Sequence, residues 1–112
     1  MPSYRMRLPI GQLHPSVRPD QVIHEAGKAL ATLHPVEKKD LEVVGQIPRV
    51  VLRFAVQPAS RPQEDVAARL ALARVRQHLA LACCEIRPDS KVVLERREGG
   101  QFRSIPAGLE GH

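Results

Sequence analysis

The stretch SRPQEDVAARLALARVRQHLALACC, residues 60–84, constrains the fold of this chain more than any other. It reads as one helix. Ser60 suits an N-cap, and Gln63 three residues on completes a capping box. Pro62, Glu64 and Asp65 all suit a first turn. At about 100° per residue, Ala68, Ala71, Leu72, Val75, Leu79, Ala82 and Cys83 gather on one side. Val66, Leu70, Ala73, Ala80, Leu81 and Cys84 gather roughly opposite. Arg69 and Arg76 separate the two faces on one flank, Arg74 and His78 on the other. A surface helix ordinarily carries one apolar stripe. A helix with two is expected to bury both, one against a sheet, the other against a neighbouring helix or another subunit. Val66, Leu70, Ala73, Leu81 and Cys84 are therefore the candidate oligomer interface, and a two-fold dimer is the favoured homo-oligomer.

The remaining periodicities supply the sheet. In SYRMRLPI, Tyr4, Met6, Leu8 and Ile10 alternate with Arg5 and Arg7, the pattern of a half-buried strand with a basic outer face. GQLHPSVRP reads as a loop. A helix follows from Pro19, with Val22, Ile23, Ala26, Ala29, Leu30 and Leu33 as its stripe and Pro35 as its stop. PVEKKD reads as a charged connector. LEVVGQIPRVVLRFAVQ reads as two strands around a turn at Gly45–Pro48, with Val50, Leu52, Phe54 and Val56 sharing one face. RPDS reads as a turn at Pro88 and Asp89. In KVVLERREGGQFRSIP, Gly99-Gly100 predicts a hairpin that pairs Arg97 with Phe102 and Leu94 with Ile105. The order is β-α-β-β-α-β plus a final hairpin strand. That order predicts an α+β fold of the ferredoxin-like, split βαβ kind, with two helices on one face of a mainly antiparallel sheet. Residues 1–106 are expected to form a single domain and 107–112 a flexible tail.

Composition narrows the classes. With 112 residues and 43% hydrophobic content the chain can build one core, and that core is aliphatic, since Tyr4, Phe54 and Phe102 are the only aromatics. No stretch is apolar enough for a membrane span or a signal peptide. Two cysteines in such a chain argue for reduced thiols and a cytoplasmic setting. Seventeen Lys and Arg against twelve Asp and Glu leave a net charge of +5. That surplus favours an anionic partner, nucleic acid or an acidic protein surface.

Enzymatic chemistry has no signature here. Adjacent Cys83 and Cys84 diverge on a helix and lack the two- to four-residue spacing of a zinc clamp. They also lie at a helix C-terminus, where the dipole disfavours a thiolate. His24 and His34 are about 15 Å apart along one helix. There is no nucleophile elbow and no phosphate loop. No metal, cofactor or catalytic residue is assigned. A small dimeric α+β-barrel enzyme, its base drawn from His14, His24 or Glu95, is the alternative from another class. The lead is the open sheet face, where Arg5, Arg7 and Arg53 from neighbouring central strands, extended by Arg97 and outward Phe102, form a candidate anion or nucleic-acid-binding surface. Its central outward positions, Val51, Arg53 and Ala55, are not the paired aromatics on which RNA-recognition sheets stack bases. Two further readings stand beside it. The arginines would pair with Glu42 and Glu95 across strands, or the face would pack on another protein, the basic surface being incidental.

Overall fold

The computed structural model describes residues 1–87 and 91–107. The turn expected at Pro88 and Asp89, and all of the expected tail beyond Ala107, lie outside the described residues. The elements are β1 (Ser3–Leu13), α1 (Pro19–Ala31), β2 (Val36–Val44), β3 (Ile47–Ala55), α2 (Arg61–Ala82), β4 (Cys84–Ile86), β5 (Val93–Glu98) and β6 (Gln101–Ile105). This is an α+β fold with one open six-stranded sheet. Its path is β2-β3-β1-β5-β6, with β4 set against the far end of β1. The described pairings are antiparallel.

The alternation in β1 places Tyr4, Met6 and Leu8, all fully buried, beneath the helices. The opposite face receives Arg5 and Arg7. β5 covers β1 from Tyr4 to Arg7, and β4 takes over at Ile10 and Leu13. Pro9 sits at that changeover. A proline is normally excluded from a central strand because it has no N–H to donate. Here Pro9 keeps its acceptor role, its carbonyl receiving the Arg87 N–H at 3.0 Å. The missing donor falls on the same edge, in the break between β5 and β4, where no ladder bond is lost.

Both hairpins turn on two residues with positive φ. These are Gly45 and Gln46 at 55° and 70°, and Gly99 and Gly100 at 57° and 84°. Such turns have the twist that antiparallel strands need. The Gly99-Gly100 turn gives the expected register, Arg97 opposite Phe102 and Leu94 opposite Ile105.

Four expectations are corrected. The charged run from Val36 to Asp40 is not a connector but the first half of edge strand β2. It lacks alternation because an edge strand there exposes side chains on both faces, and lysines on an edge discourage pairing with other chains. The expected loop at Gly11–Leu13 is the end of β1, held by β4. Ala107 is not a free tail residue but packs against the core. Lastly, Cys84 is not on the second apolar face of α2. The helix stops at Ala82, Cys83 caps it, and Cys84 opens β4 opposite Leu13, fully buried. The chain leaves the helix here to close the end of β1, and His14 N–H donates to the Cys83 carbonyl at 2.7 Å.

Candidate functional site

On the open face, strand register brings the basic residues together. Arg5 lies directly opposite Arg53 on one side and Glu95 on the other, and Arg7 lies between Val51 and Val93. Each arginine has a carboxylate. Arg5 Nε is 2.8 Å from Glu95 Oε1, Arg7 Nη1 is 3.3 Å from Glu42, and Arg53 Nε is 2.9 Å from Glu37. Arg7 also approaches Glu95 at 3.5 Å. Ser3 Oγ donates to Glu37 at 3.0 Å and fixes it. Phe102 lies beneath two guanidinium groups, with Arg5 Cζ 4.2 Å and Arg53 Cζ 5.6 Å from its ring centre. Such cation–π contacts favour parallel stacking of Arg over the ring. Arg97 faces Phe102 across the hairpin and is exposed.

Of the five candidate residues, Arg5, Arg7, Arg53 and Phe102 thus form one network, and Arg97 adjoins it. The network brings three cations and three carboxylates, so its local charge is balanced. Pairing with Glu42 and Glu95 had been legible in the sequence; the part of Glu37 had not, because it lies in the run read as a connector. A depression of about 390 Å³ opens here, lined by Arg5, Arg7, Lys38, Asp40, Val51 and Arg53 among others. Arg7 Nε and Glu42 Oε1, from residues that line it, and Arg49 Nε on the neighbouring strand are buried without a hydrogen bond.

The other candidate surface is the outward side of α2. Val66, Leu70 and Leu81 are 44%, 53% and 78% exposed. Ala73 is exposed with them, whereas Cys84 belongs to the core. The opposite side of the helix, with Ala68, Ala71, Leu72, Val75 and Leu79, is buried against the sheet and α1. The two-faced pattern therefore holds along α2, but α1 covers only one face.

A polar cluster that the sequence reading missed joins the start of α2 to the sheet. Arg96, two residues beyond buried Leu94, points inward. Its guanidinium meets Glu64 Oε1 at 2.9 Å and Asp65 Oδ1 at 3.3 Å, and donates to Tyr4 Oη. Tyr4 Oη donates in turn to Asp65. Glu64 Oε2 accepts the Ala59 N–H at 2.9 Å. Burial, reinforced by the Asp65 carboxylate, pushes the Tyr4 phenol well above its ordinary range. The Ala59 N–H, with Arg96, holds the Glu64 carboxyl below its own. The usable signal was period two: Leu94 inward requires Arg96 inward, and an inward Arg needs acidic partners. The cluster satisfies itself and acts as a strut.

Among the described residues no three of His, Cys, Asp and Glu converge as a metal site requires. His78 Nε2 lies 2.8 Å from Glu25 and ties α2 to α1. Burial raises both thiols, Cys84 to about 11, so neither is poised as a nucleophile. Among the described residues no helix is long and apolar enough to cross a membrane. No protein-family model, curated protein or solved structure matches the chain.

Proposed function

We propose that this chain is a non-enzymatic assembly module that docks another protein through the outward face of α2. The observation that carries the reading is the line of Val66, Leu70 and Leu81 left uncovered on the longest helix. Contiguous exposed apolar surface marks interaction sites, whereas single exposed apolar side chains are ordinary. A ferredoxin-like frame supports the reading. β1 lies between β3 and β5, while α1 links β1 to β2 and α2 carries the chain from β3 towards β5, as in a split βαβ unit. That frame leaves the outer sides of its helices free for partners.

The test is Leu70→Glu with Leu81→Glu in the full chain. Both side chains face solvent, so the thermal midpoint is expected to hold. Association, with itself in light scattering or with a helical peptide in fluorescence anisotropy, is expected to disappear. Association that survives both substitutions refutes the reading.

A second reading places an anionic partner, such as a nucleic-acid backbone, on the open sheet face. The buried, unbonded Arg7 and Arg49 Nε donors favour it. Phosphates there would have to displace Glu37, Glu42 and Glu95. Binding to mixed oligonucleotides that falls steeply with salt, and is lost on neutralising Arg5, Arg7 and Arg53, would support it. No binding at low salt would end it.

A further inference from the structure

The exposed row on α2 has a finer spacing than a general apolar face. Val66, Leu70, Ala73, Gln77 and Ala80 follow one another by four, three, four and three residues, the seam spacing of helices packed side by side. A straight helix drifts about 20° per heptad from that repeat, which brings exposed Leu81 onto the seam at its end. The occupant that fits such a seam is a helix. A membrane surface fits it poorly: α2 has no aromatic residue, and the apolar strip is narrow, with charge on both sides.

The flanking positions identify the kind of helix. Arg69 and Arg76 border the seam on one side and Arg74 on the other. From Val66 to Ala82 the helix contains no Asp or Glu. Arg74 and Arg76 are exposed and have no ion-pair partner among the described residues, unlike the arginines of the open sheet face. Arg69 Nε donates to the Pro106 carbonyl at 2.8 Å, which fixes its position and leaves its charge uncompensated. A second copy is therefore a poor match in either direction. Parallel pairing sets Arg69 of one copy against Arg74 of the other, five residues on. Antiparallel pairing sets Arg69 and Arg76 against each other and Arg74 against Arg74. Like charges at these positions oppose association.

Resting on the docking reading above, we infer that the occupant of this face is an amphipathic helix of a different protein, with an aliphatic seam and acidic flanks. The probes are two labelled synthetic helices of about three heptads, Leu at the seam, with Glu at the flanks in one and Lys in the other. Binding to the full chain is read by anisotropy. The Glu-flanked peptide is expected to bind tighter by about tenfold or more, an advantage that shrinks with salt. Arg74→Glu with Arg76→Glu should reverse the preference, and Leu70→Glu with Leu81→Glu should abolish both bindings. Equal binding of the two peptides overturns the acidic-partner inference and leaves the docking face standing. So does a wild-type homodimer that Leu70→Glu dissolves. Leucine-dependent binding to phosphatidylserine vesicles, with no binding of the Glu-flanked peptide, overturns it in favour of a lipid surface. If neither peptide binds, and the chain is a monomer unaffected by the leucine changes, the docking reading falls as well.

Discussion

Replacing Tyr4 with Phe removes a single oxygen from the strut at the start of α2. The ring is kept, and with it the stacking on Phe54 at 6.0 Å between centres. Two hydrogen bonds are lost, one donated to Asp65 and one received from Arg96. Both involve charged partners in a part-buried setting, and a bond to a charged group contributes ~1.5–3 kcal/mol. Arg96 and Asp65 still face each other at 3.3 Å, so part of the loss is recovered. A net cost of about 2 kcal/mol is expected. With an unfolding entropy of ~2.1 cal/mol/K per residue over 112 residues, that lowers the thermal midpoint by about 8 °C. The hydroxyl also has a pH signature. Its pKa is raised in the folded chain, so its contribution is complete below ~pH 10, the unfolded value. Above that, the unfolded chain releases the proton first, and stability falls by ~1.4 kcal/mol per pH unit until the folded phenol ionises. The chain has one Tyr and no Trp, so its tyrosinate absorption reports this group alone. A denaturant series at neutral pH, with an alkaline spectroscopic titration, decides the matter. A Tyr4→Phe variant within about 0.5 kcal/mol of wild type, or a folded phenol that titrates near pH 10, would refute the strut.

Three other expectations follow from particular contacts. Both thiols should resist a disulfide reagent in the folded chain and react on denaturation. Because folding raises their pKa, their share of stability is full below ~pH 8.5 and declines as pH climbs through the folded value, about 11 for Cys84; Cys84→Ala should flatten that decline. Gln46 holds φ at 70° in its turn, a conformation glycine adopts freely, so Gln46→Gly should stabilise the fold by about 0.5–1 kcal/mol in a chemical melt; destabilisation would contradict the turn geometry. A double-mutant cycle on Arg53 and Glu37, a pair about one-third exposed, should give a coupling below ~1 kcal/mol that fades in salt; a salt-independent coupling would show a desolvated pair.

Much of the frame could be read from periodicity because local and tertiary preferences agree there. The first helix starts at Pro19, a proline at the first helical position, and the second next to its Ser60 cap. The glycine pair at 99–100 fixes the last hairpin to the residue. The misreadings share a physical origin. At Val36–Asp40 and at Cys84–Ile86 the chain becomes a strand only because a neighbour offers unpaired backbone. β3 recruits a charged edge, and the end of β1 recruits Cys84, which helical spacing would have kept on α2, together with Glu85 and Ile86. No local pattern records a partner that is distant in sequence. The same limit hid the Arg96 strut: alternation fixes the side of the sheet, but only the packing of α2 places Glu64 and Asp65 opposite it.

The placement of charge explains why the two candidate surfaces differ in what they can accept. The open sheet face carries the conspicuous arginines, yet a glutamate stands beside Arg5, Arg7 and Arg53. An incoming phosphate there has to compete with a carboxylate already in place. At these side chains, which are 13–35% exposed and so still reached by water, that exchange gains little. The surplus of cations lies partly on α2, where a helix without acids beyond Asp65 presents arginines to either side of uncovered leucines. Attraction there is not offset by an internal partner, and apolar burial adds to it. Charge-reversing Arg74 and Arg76 should therefore change association more than charge-reversing Arg5 and Arg7. In anisotropy assays against an acidic helix and against an oligonucleotide, the opposite order would return the open sheet face to first place.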